Sequence, residues 1–211
     1  MVVTAHDFKP HLFIPKFDFI YKIWMKTFEK SDAELMYPDF EIHYNDELEA
    51  FVKEYGRRSV YINKGVNSDS GISTLVPTFP WLDDFNINKT GIHDILSEAR
   101  SIKTPQEIEI MRISCRISSE AHVEVMRACK PGIRESALAS VFHAYCLQNY
   151  NCKFLAYNQI CACGINPATL HYVVNNDIIP THSMCLIDMG HSVHHYGADI
   201  TCCYPTDGVF T

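Results

Sequence analysis

Polar and apolar positions along the chain divide it into a front part of mixed periodicity and a back part of two long helices followed by strands. In the front part, His11-Leu12-Phe13-Ile14-Pro15 predicts a short strand stopped by proline. Phe17, Ile20, Tyr21, Trp24 and Phe28 recur at spacings of three and four, which predicts a helix over 17–30. Asn45-Asp46-Glu47 predicts the capped start of another helix, with Leu48, Phe51, Val52 and Tyr55 turned inward and an end at Gly56. Ser59 to Ile62 then predicts a strand, and 63–80 a loop rich in Gly, Asn, Ser and Pro. This strand–helix–strand order predicts an α/β unit.

A strong helix start follows at Thr104-Pro105-Gln106-Glu107, where Thr104 can cap, Pro105 suits the first helical position and Glu107 completes a capping box. The helix is predicted to reach about Cys129, with a stripe of Ile108, Met111, Cys115, Ser118, Ser119, His122 and Met126 turned inward. Glu135 to about Gln148 predicts the next helix, with Leu138, Val141, Phe142 and Tyr145 inward. Tyr157 to Gly164 predicts a strand, and Ala168 to Tyr172 a second extended piece after the Asn166-Pro167 turn. Two helices followed by strands predict α+β organisation, with a boundary dividing residues 1–103 from 104–211.

The most informative stretch is the last. Asp188 and Asp199 each sit inside an apolar run, Met184 to Met189 and Ala198 to Cys203, and Gly190 to Gly197 is read as the loop between them. A hairpin centred near Val193 and His194 sets the two aspartates opposite each other, with Cβ atoms about 4.5–5.5 Å apart. Two carboxylates that close, in a strand, need a shared proton or a cation between them. The geometry admits an acid dyad or a divalent metal and does not choose between them. The nearby histidines His191, His194 and His195 are read as solvated loop residues.

Composition narrows the classes. A hydrophobic content of 47% and 12% aromatics indicate a chain that buries a core. With 18 Lys and Arg against 25 Asp and Glu, the charge is −7 and no basic run stands out, which disfavours a nucleic-acid partner. No apolar run has the length of a membrane span and no secretory leader is read, so no membrane partner is expected and a cytoplasmic location is. Nine cysteines, none in a CxxC pair, are read as reduced, buried thiols rather than a disulfide framework or zinc ligands.

Three stretches carry a family resemblance. Cys163 to Tyr172 (Cys-Gly-Ile-Asn-Pro-Ala-Thr-Leu-His-Tyr), Leu186 to Gly190 (Leu-Ile-Asp-Met-Gly) and Ala198 to Pro205 (Ala-Asp-Ile-Thr-Cys-Cys-Tyr-Pro) resemble the prolidase branch of the creatinase/aminopeptidase P/methionine aminopeptidase superfamily. Ile117 to Met126, and Arg57 to Gly71 with its Gly-Val-Asn-Ser-Asp-Ser-Gly, extend the likeness upstream. The resemblance implies the first part of a pita-bread metallopeptidase domain over 104–211. It implies part of an α/β creatinase-like domain over 1–103.

It further implies hydrolysis of Xaa-Pro dipeptides at two divalent ions, usually Mn2+. Asp188 and Asp199 would be metal ligands, and His171 a catalytic group beside the substrate. A homodimer is implied for the complete protein. The family's remaining ligands, one His and two Glu, would lie beyond Thr211, so the 211 residues alone are expected to be inactive. The alternative this leaves is a non-catalytic peptide- or protein-binding module. Val173 to Asp177 stands where the family has a longer glycine-containing loop.

Overall fold

The computed structural model describes residues 1–55 and 59–210. The chain forms two compact units, Met1–Ser101 and a second beginning at Ile102.

The first unit is built on β1 (Val2–Val3), β2 (Pro10–Ile14), α1 (Tyr21–Trp24), α2 (Lys30–Met36), β3 (Glu41–Tyr44) and α3 (Leu48–Tyr55). It continues through β4 (Val60–Tyr61), β5 (Ile87–Asn88) and α4 (Ile92–Ser101). Strand β2 is central, antiparallel to β1 and parallel to β3, with α2 in the crossover. Period-2 alternation sends Leu12, Ile14, Ile42 and Tyr44 to one face, where they pack with Ala33 and Phe28. His11, Phe13 and His43 go to the other, where their rings pack against Phe51 of α3. A second parallel pair joins β4 to β5.

The helix predicted over 17–30 does not form. Only Tyr21–Trp24 makes a turn, with no buried residue, and a new helix begins at Lys30. The three-four spacing was a coincidence of abundant aromatics. The real start signal is Asp32, whose side chain accepts from the Glu29 backbone N–H at 3.0 Å. Asn45 is not a cap either: it opens a 3-10 turn, and the Glu47 carboxylate accepts from the Tyr44 N–H instead. The predicted helix end at Gly56 lies outside the described residues. Strand β3 and helix α4 had no counterpart among the predicted elements.

The second unit holds α5 (Pro105–Ala128), α6 (Glu135–Tyr150), β6 (Phe154–Leu155), β7 (Ile160–Cys163), β8 (Met184–Asp188), β9 (His191–Val193), β10 (Tyr196–Gly197) and β11 (Thr201–Pro205). The capping box at Thr104 forms as predicted, with the Glu107 N–H donating to Thr104 Oγ1 at 3.3 Å and the Thr104 N–H to Glu107 Oε2 at 2.7 Å. Helices α5 and α6 pack on each other, and α5 also covers β9 and β10. Sheets of order β11-β8-β7 and β10-β9-β6 complete the unit. Val125, Leu138, Phe142, Cys146, Cys185, Ile187 and Met189 form a core with essentially no exposure.

The inward stripe of α5 is rotated from the predicted one. Buried positions are Ser114, Ile117, Ser118, Ala121, His122 and Val125, while Ile108, Met111, Cys115, Ser119 and Met126 are exposed. Cys115 and Cys203 therefore depart from the expectation of buried thiols, although all nine cysteines are free. The extended piece predicted over Ala168 to Tyr172 is a 3-10 turn, Asn166–Ala168, followed by irregular chain.

The aspartate hairpin also differs in register. Its turn is the two-residue pair His194-His195, both left-handed at φ 48° and 67°, as a type I′ turn requires. Val193 pairs with Tyr196, and Asp188 pairs with Thr201 rather than with Asp199. The presumed loop is thus largely strand. Gly190, between β8 and β9, lies against the returning chain: a Cβ there would stand 1.7 Å from the Ala198 carbonyl oxygen. Gly190→Ala is accordingly expected to lower stability by about 3 kcal/mol, the upper range for overpacking. Urea unfolding of the two forms measures it, and an unchanged midpoint would contradict the close approach.

Candidate metal centre

Helix α5 positions the hairpin through three polar side chains at four-residue spacing. Ser114 Oγ donates to the His191 carbonyl at 2.9 Å, and Ser118 Oγ accepts from the His191 N–H at 3.0 Å. His122 Nε2 meets the Met189 carbonyl at 2.9 Å. A carbonyl can only accept, so Nε2 carries the proton. Nδ1 is then the acceptor that faces the Cys202 thiol at 3.3 Å. These bonds fix the backbone on both sides of Gly190 and so the base from which Asp188 projects.

With the β8–β11 register carried to the turn, Asp199 falls opposite Gly190. Asp188 and Asp199 are thus diagonal neighbours on one face, a spacing that long or bridging groups still span. Tyr157 spans it. Its hydroxyl lies 2.5 Å from Asp188 Oδ1 and 3.2 Å from Asp199 Oδ1. Burial, and then the bond to Asp188 and the two carboxylate charges, drive the Tyr157 pKa well above the usual phenol value, so the group stays a donor. One hydroxyl proton serves two converging carboxylates. The donor set therefore carries more negative charge than its protein partner neutralises, and a divalent cation suits it.

The loop carrying His171 is built separately. Glu135, at the start of α6, has no exposed surface. Its carboxylate accepts from the Cys163 N–H at 2.9 Å, Asn166 Nδ2 at 3.0 Å, the Tyr172 hydroxyl at 2.8 Å and the Asp177 N–H at 3.1 Å. Four donors make a buried carboxylate tenable. The Val173 to Asp177 stretch is fastened by its polar residues: Asn175 bonds the Cys161 N–H and the Gln159 carbonyl, and Asn176 receives Arg134. His171 itself is exposed on this loop, and among the described residues no hydrogen bond joins it to either aspartate.

The structure therefore brings Asp188 and Asp199 together and leaves His171 on an adjacent pinned loop. Sequence reasoning missed Tyr157, Glu135 and Ser114; it turned Ser118 and His122 inward without assigning them the bonds that hold the hairpin. A four-residue repeat of small polar residues in α5 was the available signal for the Ser114–Ser118–His122 seam. Of the loop histidines, His194 and His195 are exposed turn residues, whereas His191 is fully buried and stacks on His143 with ring centroids 5.7 Å apart. It is a packing residue, not a solvated one.

Burial holds the pKa of both His122 and His191 below the ordinary imidazole value. The folded state then binds fewer protons than the unfolded one in acid. The contribution of each is complete above the unfolded pKa of about 6.5 and is lost as pH falls below it. The melting temperature is expected to drop from about pH 7.5 to about pH 5.5, with a shallower slope in His122→Gln. A melting temperature constant across that window would contradict the burial of neutral imidazoles.

Residues 109–210 match the profile of metallopeptidase family M24. Over its whole length the chain is 35% identical to the Xaa-Pro dipeptidase of Pongo abelii and 34% identical to that of Homo sapiens, and it covers 44% of each. Among solved structures it is similar to the aminopeptidase PepP of Pseudomonas aeruginosa, with a TM-score of 0.78 and 25% identity over 95% of this chain and 47% of that one. The chain thus spans less than half the length of these relatives. Its α+β fold is of the aminopeptidase P-like, pita-bread class. No helix among the described residues is long and apolar enough to cross a membrane.

Proposed function

We propose that this chain, whose residues 109–210 match the profile of metallopeptidase family M24, contributes to a centre that hydrolyses the peptide bond of Xaa-Pro dipeptides. The observation that carries the reading is the convergence of Asp188 and Asp199 on one Tyr157 hydroxyl, in a chain similar throughout to Xaa-Pro dipeptidases. In this reading 104–211 is the first half of the catalytic domain and 1–103 part of the domain before it.

Asp188 and Asp199 would hold the metal, and the Tyr157 hydroxyl, bonded to both, turns their carboxylates toward each other. The resemblance assigns one further His and two Glu ligands to other segments. A set of four carboxylates with a single imidazole is rich in hard oxygen donors, which suits Mn2+ better than the ions that thiolates or several imidazoles select. The thiols nearby serve as wall: Cys161, Cys163 and Cys185 are buried, and Cys202 is taken up by His122. When bound, the divalent ions supply Lewis acidity that lowers the pKa of water to near neutrality. His171, presented by the loop that Glu135 pins, contacts the substrate and stabilises negative charge on its carbonyl oxygen.

The test uses the native protein that contains this sequence, assayed on Gly-Pro with added Mn2+. Asp188→Asn and Asp199→Asn are each expected to lower kcat/KM by roughly 10³-fold or more. His171→Ala is expected to lower kcat by about 10²-fold with metal content unchanged, as loss of a charge-stabilising donor does. Full activity in either aspartate variant would overturn the assignment.

A further inference from the structure

The first unit carries its own constellation of ligand type, on the face of β2 and β3 that α3 covers. In the parallel register His11 stands beside Glu41, with His43 two residues further along β3. His11 Nδ1 lies 3.0 Å from His43 Nε2 and 3.5 Å from Glu41 Oε2. One ligand atom from each of the three lies within 4.8 Å of the others. Two ligands each about 2.0–2.1 Å from a tetrahedral zinc ion stand roughly 3.4 Å apart, so the spacing suits a shared ion.

The surroundings prepare these atoms for a cation. His11 is 3% exposed. If it and His43 only share a hydrogen bond, Nε2 of His11 is left buried with no hydrogen-bond partner. Asp7 Oδ2 lies 3.9 Å from it. At that distance Asp7 makes no hydrogen bond to the ring and supplies only a nearby negative charge. Burial, with His11 beside it, keeps the His43 pKa below its ordinary value, so the ring is neutral and free to ligate. Lys9 Nζ binds Glu41 Oε1 at 3.0 Å and holds that carboxyl below the usual range, leaving ionised Oε2 toward His11. Phe13 and Phe51 wall the rings on their apolar sides.

We propose that His11, Glu41 and His43 form a mononuclear zinc site that clamps β2 to β3 in the first unit, with its open position facing the exposed Glu41 side. Two imidazoles and one carboxylate are the donors zinc accepts, with the fourth position left to water. The site is independent of the aspartate centre, and its strands lie in the other unit.

The 211-residue chain carrying Asp188→Asn and Asp199→Asn, so that the other centre cannot compete, is titrated with Zn2+ and separately with Co2+ as a spectroscopic probe. One equivalent of Zn2+ is expected to bind and to raise the melting temperature. Co2+ is expected to give the intense visible bands of a four-coordinate nitrogen and oxygen site. His43→Phe is expected to weaken binding at least tenfold. Glu41→Gln, an exposed change that spares the packing, is expected to do so as well. Absence of binding, a thiolate-to-cobalt charge-transfer band, or unchanged affinity in Glu41→Gln would overturn the site.

Discussion

The second unit depends on the fastening of α5 to the backbone around Gly190. Ser114, Ser118 and His122 hold the Met189 and His191 peptides by hydrogen bonds formed where no water competes. A buried peptide group left unpaired costs roughly 1–3 kcal/mol, so these side chains decide where the hairpin can lie. Gly190 allows the returning chain to approach within contact of its Cα, and the bend places Asp188 and Asp199 on one face. Tyr157 closes the arrangement from the bend between β6 and β7. The carboxylates are thus set by packing and backbone hydrogen bonding before any ion is considered.

The parts of this that were legible in the sequence are those governed by local rules. Thr104 and Glu107 announce their helix, and Leu138 and Phe142 mark the buried face of α6. What escaped was governed by tertiary contact. On α5 the predicted stripe was right at Ser118 and His122, but it left out Ser114, Ile117, Ala121 and Val125, while Met111 and Met126 read as core and are exposed. The polar side chains are inside because the peptides around Gly190 need partners. The hairpin register escaped because its turn is His194-His195, which lacks the Asn-Gly signature of a type I′ turn. The flanking glycines Gly190 and Gly197 drew the loop boundaries instead. The two aspartates still share a face, because the slip is by two residues and the strand period is two.

The first unit follows the same logic with different chemistry. Alternation along β2 and β3 gives one apolar face and one face of imidazoles and aromatic rings. The apolar face is built on Ile14, Ala33 and Ile42. The other brings His11, Glu41 and His43 together from strands 30 residues apart, a juxtaposition that no spacing in the sequence announces. Glu135 in the second unit is a further case: a helix-start glutamate that proves to be the fully buried anchor of the loop bearing His171.

The central claim is that Asp188 and Asp199 form one cation site prepared by the hairpin and Tyr157. The most direct measurement is a crystal structure of the native protein soaked with Mn2+, read by anomalous scattering. The account predicts a peak bonded to carboxylate oxygens of both aspartates. Carboxylates still bonded to the Tyr157 hydroxyl at saturating Mn2+, with no anomalous peak between them, would contradict it.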